Sequence, residues 1–313
     1  MNTIEINEAS SLEKASVHKK RNSLIELYRF FFAFNVIVGH GLFPIDIPYF
    51  GPDRISVEFF FVLSGFLFYG FMKKCKEMSL IGAEREMLAS RLRPLLIPTA
   101  IGIASNIILN YITNYNPLKI FRYLWYIPAM IITFLLYTAL RVLIKDEKKL
   151  FITVAIIGVT ATAVRFSGSE VLFFFDYARS FSAISIGILL AHMPKIDLKR
   201  KWIWWLLLLP VAAATFGVVF FSLAEENVYY EALLDLVLYP LLIFITFNVD
   251  FHLSVFDYLG AISFGVYAYQ CPARLVANIG VQSKWIPFIM IFALAILDDI
   301  IKRIVKESKN KKM

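Results

Sequence analysis

Leu24-Ile25-Glu26-Leu27-Tyr28-Arg29-Phe30-Phe31-Phe32-Ala33-Phe34-Asn35-Val36-Ile37-Val38-Gly39-His40 is the stretch that decides the fold. Its apolar character is continuous rather than alternating, and with its flank it reaches the roughly 20 residues a membrane-crossing helix needs. Glu26 and Arg29 are three positions apart, so on a helix they share a face and can pair. Arg29 and His40 are eleven positions apart. At about 100° per residue that is three turns plus about 20°, so they too share a face, about 16 Å apart along the axis. Glu26, Arg29, Ala33 and His40 therefore form a polar stripe on a helix otherwise covered in phenylalanine. Ionisable groups inside a span are costly and as a rule face a bundle interior or a cavity. The plainer alternatives are that Arg29 snorkels to the inner interface and that His40 is an interfacial histidine near the outer end.

The rest of the chain reads the same way. Of 313 residues 59% are hydrophobic and 18% charged, against about 45–50% and about 25% in soluble domains. Mean hydropathy is +0.67. Soluble, disordered, collagen-like and coiled-coil classes are excluded. Apolar segments follow at 24–43, 55–72, 94–113, 123–144, 150–166, 178–193, 202–222, 232–249, 258–273 and 285–301. They are helix-length, which favours helices over a barrel. The expected fold is an all-α integral membrane protein, a polytopic bundle of about ten transmembrane helices with both termini cytoplasmic. A polar tail, 1–23, precedes the transmembrane domain, 24–301, and a basic tail, 302–313, follows it. No cleavable signal peptide and no appended soluble domain are expected.

The net charge of +8 is distributed by topology. With the N-terminus inside, 24 of the 32 Lys and Arg fall in cytoplasmic segments and 7 outside, with Arg29 in the first span. This split follows the positive-inside rule and removes the case for nucleic acid as a partner. Cys75 and Cys271 fall on opposite sides of the membrane and are expected to stay unbridged. His18, His192 and His252 read as surface residues. No metal-ligand cluster, phosphate loop or dinucleotide fingerprint stands out.

The second span opens Ile55-Ser56-Val57-Glu58-Phe59-Phe60-Phe61-Val62-Leu63-Ser64-Gly65-Phe66. Glu58 lies near its outer end, a short loop from His40, so the two side chains are expected to meet. A carboxylate beside an imidazole fixes its tautomer and raises its basicity. The alternative is an exposed interfacial carboxylate. Ser64-Gly65 more often allows close helix packing than supplies a nucleophile. Trp125 and Tyr126 are placed near the outer interface, either as part of an aromatic belt or lining a sugar site. Asp176 and Arg179 are expected to pair across one helical turn.

These residues resemble acyltransferase family 3, the polytopic membrane acyltransferases that modify surface glycans. Arg29 and His40 match the family's spacing in the first span, with Glu26 preceding. Val57-Glu58-Phe59-Phe60-Phe61-Val62-Leu63-Ser64-Gly65-Phe66 resembles the hallmark block of the second. Ser90-Arg91-Leu92-Arg93-Pro94-Leu95-Leu96-Ile97-Pro98, Leu124-Trp125-Tyr126-Ile127 and Ile262-Ser263-Phe264-Gly265-Val266-Tyr267 resemble three further blocks. One departure stands out: Gln270 occupies the place where many relatives carry a histidine.

The resemblance implies transfer of an acyl group, usually acetyl, from cytoplasmic acyl-CoA to a glycan hydroxyl. The acceptor is expected to be a bacterial cell-surface polysaccharide or its undecaprenyl-linked precursor, in the cytoplasmic membrane. Acetyl-CoA would act as donor substrate, with no permanently bound cofactor and no metal; membrane lipid is the other expected partner. The expected roles are His40 as general base and Glu58 as its orienting carboxylate. Arg29, Arg91 and Arg93 would hold the coenzyme A phosphates, since arginine matches phosphate oxygens in a bidentate way. For Arg91 and Arg93 the alternative is the topological charge signal alone. Trp125, Tyr126, Ser64 and Tyr267 would contact substrate. Direct transfer and a covalent acyl-enzyme on His40 or Ser64 both fit. The competing reading is a lipid or glycan exporter without acyl-transfer chemistry; such a protein would more often show paired broken spans in two related halves.

Overall fold

The computed structural model describes residues 22–45, 53–112, 124–167, 174–194, 196, 198, 200–221, 227–279 and 283–310. Thirteen α-helices run through these residues: α1 Ser23–Gly39, α2 Asp53–Cys75, α3 Leu80–Met87, α4 Leu96–Ile112, α5 Tyr126–Leu143, α6 Glu147–Phe166, α7 Phe174–His192, α8 Trp202–Phe220, α9 Val228–Leu233, α10 Tyr239–Asn248, α11 Ser254–Ala268, α12 Gln270–Asn278 and α13 Trp285–Asn310. No strand occurs among the described residues.

Among the described residues, five helical segments are long and apolar enough to cross a membrane, including α9 to α10 as one piece, or six if the bent pair around Arg91–Leu96 counts as one span. About ten were expected. In α1, α4, α11 and α13 the shortfall lies in length or charge. α1 and α4 have 17 residues each and α11 has 15. α13 carries the charged stretch Asp298, Asp299, Lys302 and Arg303 within one continuous helix to Asn310.

Three of the expected segments depart from a single uninterrupted α-helix. Between α3 and α4 the chain passes through a π-helical turn, Leu88–Leu92, and a 3-10 turn, Arg93–Leu95, bending by 75°. Pro94 lacks the amide hydrogen an α-helix needs there. The segment expected at 232–249 contains a second π-helical turn, Leu234–Leu238, just before Pro240. The segment expected at 258–273 stops at Tyr269, and α12 starts afresh at Gln270.

α1 is fixed at its start and at its middle. Asn22 caps its start, accepting from Leu24 N at 3.0 Å, and its amide donates to the carbonyls of Thr246 and Val249. Ser23 Oγ donates to Asp257 at 2.6 Å and accepts from Leu253 N. Midway along, Asn35 Nδ2 donates to Ser56 Oγ at 2.6 Å, registering α1 against the antiparallel α2.

Glycine sets the closest approaches. A Cβ on Gly65 of α2 would lie 2.2 Å from the Ile184 carbonyl of α7, and one on Gly187 of α7 would lie 2.1 Å from the Val62 carbonyl. The packing role expected for Ser64-Gly65 is therefore what Gly65 performs. α7 also presents hydroxyls to its neighbours. Ser180 bonds Thr133 of α5, Ser185 bonds Tyr137 of α5, and Ser182 bonds Thr162 of α6. Such hydroxyl pairs join helices where lipid offers no hydrophobic drive between them.

Candidate active site

The polar stripe on α1 forms as its spacing requires. Arg29 Nη1 donates to Glu26 Oε2 at 2.6 Å, with Glu26 8% and Arg29 29% exposed. Gly260 of α11 packs on this pair; a Cβ there would sit 2.0 Å from Glu26 Oε2. Opposite lie Ser64, Tyr126 and Tyr267. Ser64 Oγ and Tyr126 Oη are 3.1 Å apart, and the rings of Tyr126 and Tyr267 meet edge to face at 5.9 Å. Arg29 is within electrostatic range of the Tyr126 hydroxyl. Four expected site residues from α1, α2, α5 and α11 thus converge.

This convergence corrects the expected depth of Trp125 and Tyr126. Ser64 lies eleven residues along α2 from Asp53, about 16 Å from that helix end. Tyr126, bonded to Ser64 and buried, is in the bundle interior rather than in an interfacial belt. Trp125 packs on Phe61. The Trp125 and Tyr126 rings pack on Phe61, so α5 starts alongside about the third turn of α2, which sequence alone does not reveal.

Arg91 approaches the same region from the break. Its Nη2 donates to the Leu67 carbonyl at 3.4 Å, three residues from Ser64 and hence about 4.5 Å further along α2. Arg93 points outward and is exposed. The two arginines, expected to act alike, differ in direction.

His40 stands at the other end of the stripe, half-buried, as the capping residue of α1. The expected contact with Glu58 does not form. The Asn35–Ser56 bond marks the facing edges of α1 and α2. His40, five residues past Asn35, is turned about 140° away from that edge; Glu58, two past Ser56, is turned about 200°. Their axial offset is about 10 Å.

Glu58 instead joins a buried ionic cluster. Arg179 Nη1 contacts its Oε1 at 2.7 Å, and Arg165 Nη2 contacts the same oxygen. Arg165 also meets Glu231 at 2.7 Å and Asp235 at 2.5 Å, and Arg179 meets Glu231 at 2.5 Å. All five residues are buried. The carboxylate oxygens of Glu58, Glu231 and Asp235 lie within 4.8 Å of one another, a spacing suited to a metal ion, and sequence reading did not foresee it. Guanidinium groups fill that role here, because Arg165 touches all three acids. The side chain of Asp176, the expected partner of Arg179, lies outside the described residues.

The remaining expectations fall as follows. His192 and His252 are exposed, the first stacked on Phe151 and bonded to Tyr69, the second paired with Asp257; His18 lies outside the described residues. Cys75 and Cys271 are free and buried. Gln270 is fully buried at the start of α12.

An all-helical bundle with helices long and apolar enough to cross a membrane, and with an ion pair and hydroxyls meeting where α1, α2, α5 and α11 converge, defines the class. The sequence matches the acyltransferase domain family over residues 22–297, and the chain belongs to acyltransferase family 3. No curated protein and no solved structure matches it. It is a membrane acyltransferase.

Proposed function

We propose that the protein is an O-acyltransferase, with acetyl as the expected group, that uses cytoplasmic acyl-CoA and acylates a hydroxyl of a bacterial cell-surface polysaccharide or its lipid-linked precursor. The carrying observation is the interior track. That track is the convergence of the Arg29–Glu26 pair of α1 with Ser64, Tyr126 and Tyr267; on this reading it is extended at one end by Arg91, which bonds the exposed Leu67 of α2, and at the other by His40 at the end of α1. Arg29 and His40 are about 16 Å apart along α1, a span that an extended pantetheine arm can follow. Arg91, with Arg93 at the mouth, suits the phosphates of the donor's nucleotide end.

At the far end His40 takes the proton of the acceptor hydroxyl as that oxygen attacks the thioester carbonyl. The carbon–sulfur bond then breaks, and the leaving thiolate recovers a proton, giving ester and free coenzyme A. In this reading Tyr126 and Tyr267 contact the thioester arm. Glu58 is read as a framework carboxylate, because it is engaged by two arginines on the opposite face of α2. Ser64 is the alternative acyl carrier.

Purified protein in liposomes given labelled acetyl-CoA should transfer label or release free coenzyme A. His40→Ala should reduce this to background while still inserting. Near-normal turnover in that variant would remove the general-base role.

A further inference from the structure

We propose that Arg274 is a positioning residue for His40, holding the backbone of the base in place from a helix distant in sequence. The proposal rests on the acyl-transfer reading for its kinetic arm only. His40 ends α1 in a defined cap. Gly41 follows in the left-handed region at φ 68°. Gly41 N donates to the Val38 carbonyl at 2.8 Å and Leu42 N to the Ile37 carbonyl at 3.1 Å, the paired bonds of a Schellman ending. His40 N donates to Val36 O at 3.0 Å. The carbonyl of His40 itself points past the helix and accepts from Arg274 Nη2 at 2.8 Å, across 234 residues of sequence.

Arg274 lies one turn beyond Gln270 on α12, so both occupy one face. α12 continues from α11, which carries Tyr267. The bond therefore ties His40 to the wall that carries Tyr267, while the Asn35–Ser56 bond ties α1 to α2. A guanidinium at a helix C-terminus is stabilised by the carbonyl dipoles there. That compensation of its charge favours a clamp over a site for an anionic acceptor. The sequence gives no sign of it: Arg274 counts there only as one of the outward-side cations.

A misplacement of about 1 Å can cost on the order of a hundredfold in rate, so losing the clamp should fall on turnover. In reconstituted protein, Arg274→Ala should lower kcat at least about tenfold while the KM for acetyl-CoA stays within about twofold. Arg274→Lys, which keeps a donor and a charge, should recover most of the rate. The double variant with His40→Ala should be no slower than His40→Ala alone, because Arg274 acts through His40. A wild-type rate in Arg274→Ala, or full additivity in the double variant, would overturn the proposal.

A second readout needs no acyl transfer. Carbethoxylation of His40 by diethyl pyrocarbonate, followed by peptide mass spectrometry, should change several-fold in Arg274→Ala and return in Arg274→Lys, with His192 and His252 as unaffected internal controls. An unchanged His40 rate would also overturn it. If wild-type protein transfers no acyl group, the functional reading fails, and this second readout still decides the role of Arg274.

Discussion

Arg179 meets Glu58 at 2.7 Å in an ion pair where neither side chain exposes more than 2% of its surface. Around this pair, two guanidinium groups face three carboxylates from α2, α9 and the π-helical turn that follows. Buried ion pairs contribute little net stability when complete, yet removing one partner typically costs about 3–5 kcal/mol, because a charge is left buried and unanswered.

The cluster's charge count gives the variants a definite order. Arg165→Met would leave one cation among three acids, whereas Glu58→Gln would leave two cations and two acids. Arg165→Met should therefore lower the melting midpoint in detergent strongly, and Glu58→Gln far less. The same pair separates framework from chemistry. Glu58→Gln should lose modest activity in step with stability, while His40→Ala loses activity without losing stability. A Glu58→Gln protein as stable as wild type but inactive would return Glu58 to the reacting centre.

What sequence could reveal here follows distance along the chain. Glu26 and Arg29 are one turn apart, so helical periodicity alone predicts their pair, and the structure shows it. Gly65 is legible as a packing residue for the same local reason. Arg165 and Arg179 fall within the expected segments 150–166 and 178–193, and the local expectation pairs Arg179 only with Asp176, one turn away. Their acids lie at positions 58, 231 and 235, and no pattern in one chain announces pairing at that range. Tyr126 looked interfacial because aromatic residues at a span's start usually are. Only the Ser64 bond shows that α5 begins inside the bundle. The His40–Glu58 expectation used loop length and ignored rotation: a short connection brings helix ends together, but side-chain facing depends on the register fixed by Asn35 and Ser56.

The α2–α7 crossing should be intolerant of any added Cβ. At Gly65 and Gly187 the obstructing atoms are main-chain atoms of the facing helix, which cannot rotate away as a side-chain tip can. Overpacking of this kind costs about 1–3 kcal/mol or more. Gly65→Ala and Gly187→Ala should each reduce the folded fraction recovered by size exclusion. Gly70→Ala, where an added Cβ meets nothing within 4 Å, should not. Equal recovery of all three would mean that the helices separate more readily than this packing allows.

Arg91 and Arg93 should part company in kinetics. Arg91 reaches the Leu67 carbonyl on α2, next to the turn that holds Ser64, whereas Arg93 is turned outward. Arg91→Ala should raise the KM for acetyl-CoA by roughly tenfold or more with a smaller change in kcat, the signature of lost binding shared by ground and transition states. Arg93→Ala should give a lesser rise that shrinks with added salt, as an exposed charge is screened. Unchanged constants in both variants would leave them as topological charges only.

Sidedness should follow from the two ends of the track. In the proposed orientation, with the N-terminus inside, Arg91 lies on the cytoplasmic side, and α1 carries His40 about 16 Å beyond Arg29 towards the opposite face. A donor held near Arg91 then presents its thioester partway through the bundle, and the acceptor needs to reach only the far portion. Acyl groups would cross the membrane within the protein, without a separate carrier. Sealed inside-out vesicles should consume added acetyl-CoA directly, and right-side-out vesicles should do so only after permeabilisation. Arg91→Ala should weaken use of the donor in inside-out vesicles while leaving sidedness intact. Equal donor use by both intact preparations would contradict the arrangement, because it would require a second route to His40 from the outer face that bypasses Arg91 and Arg29.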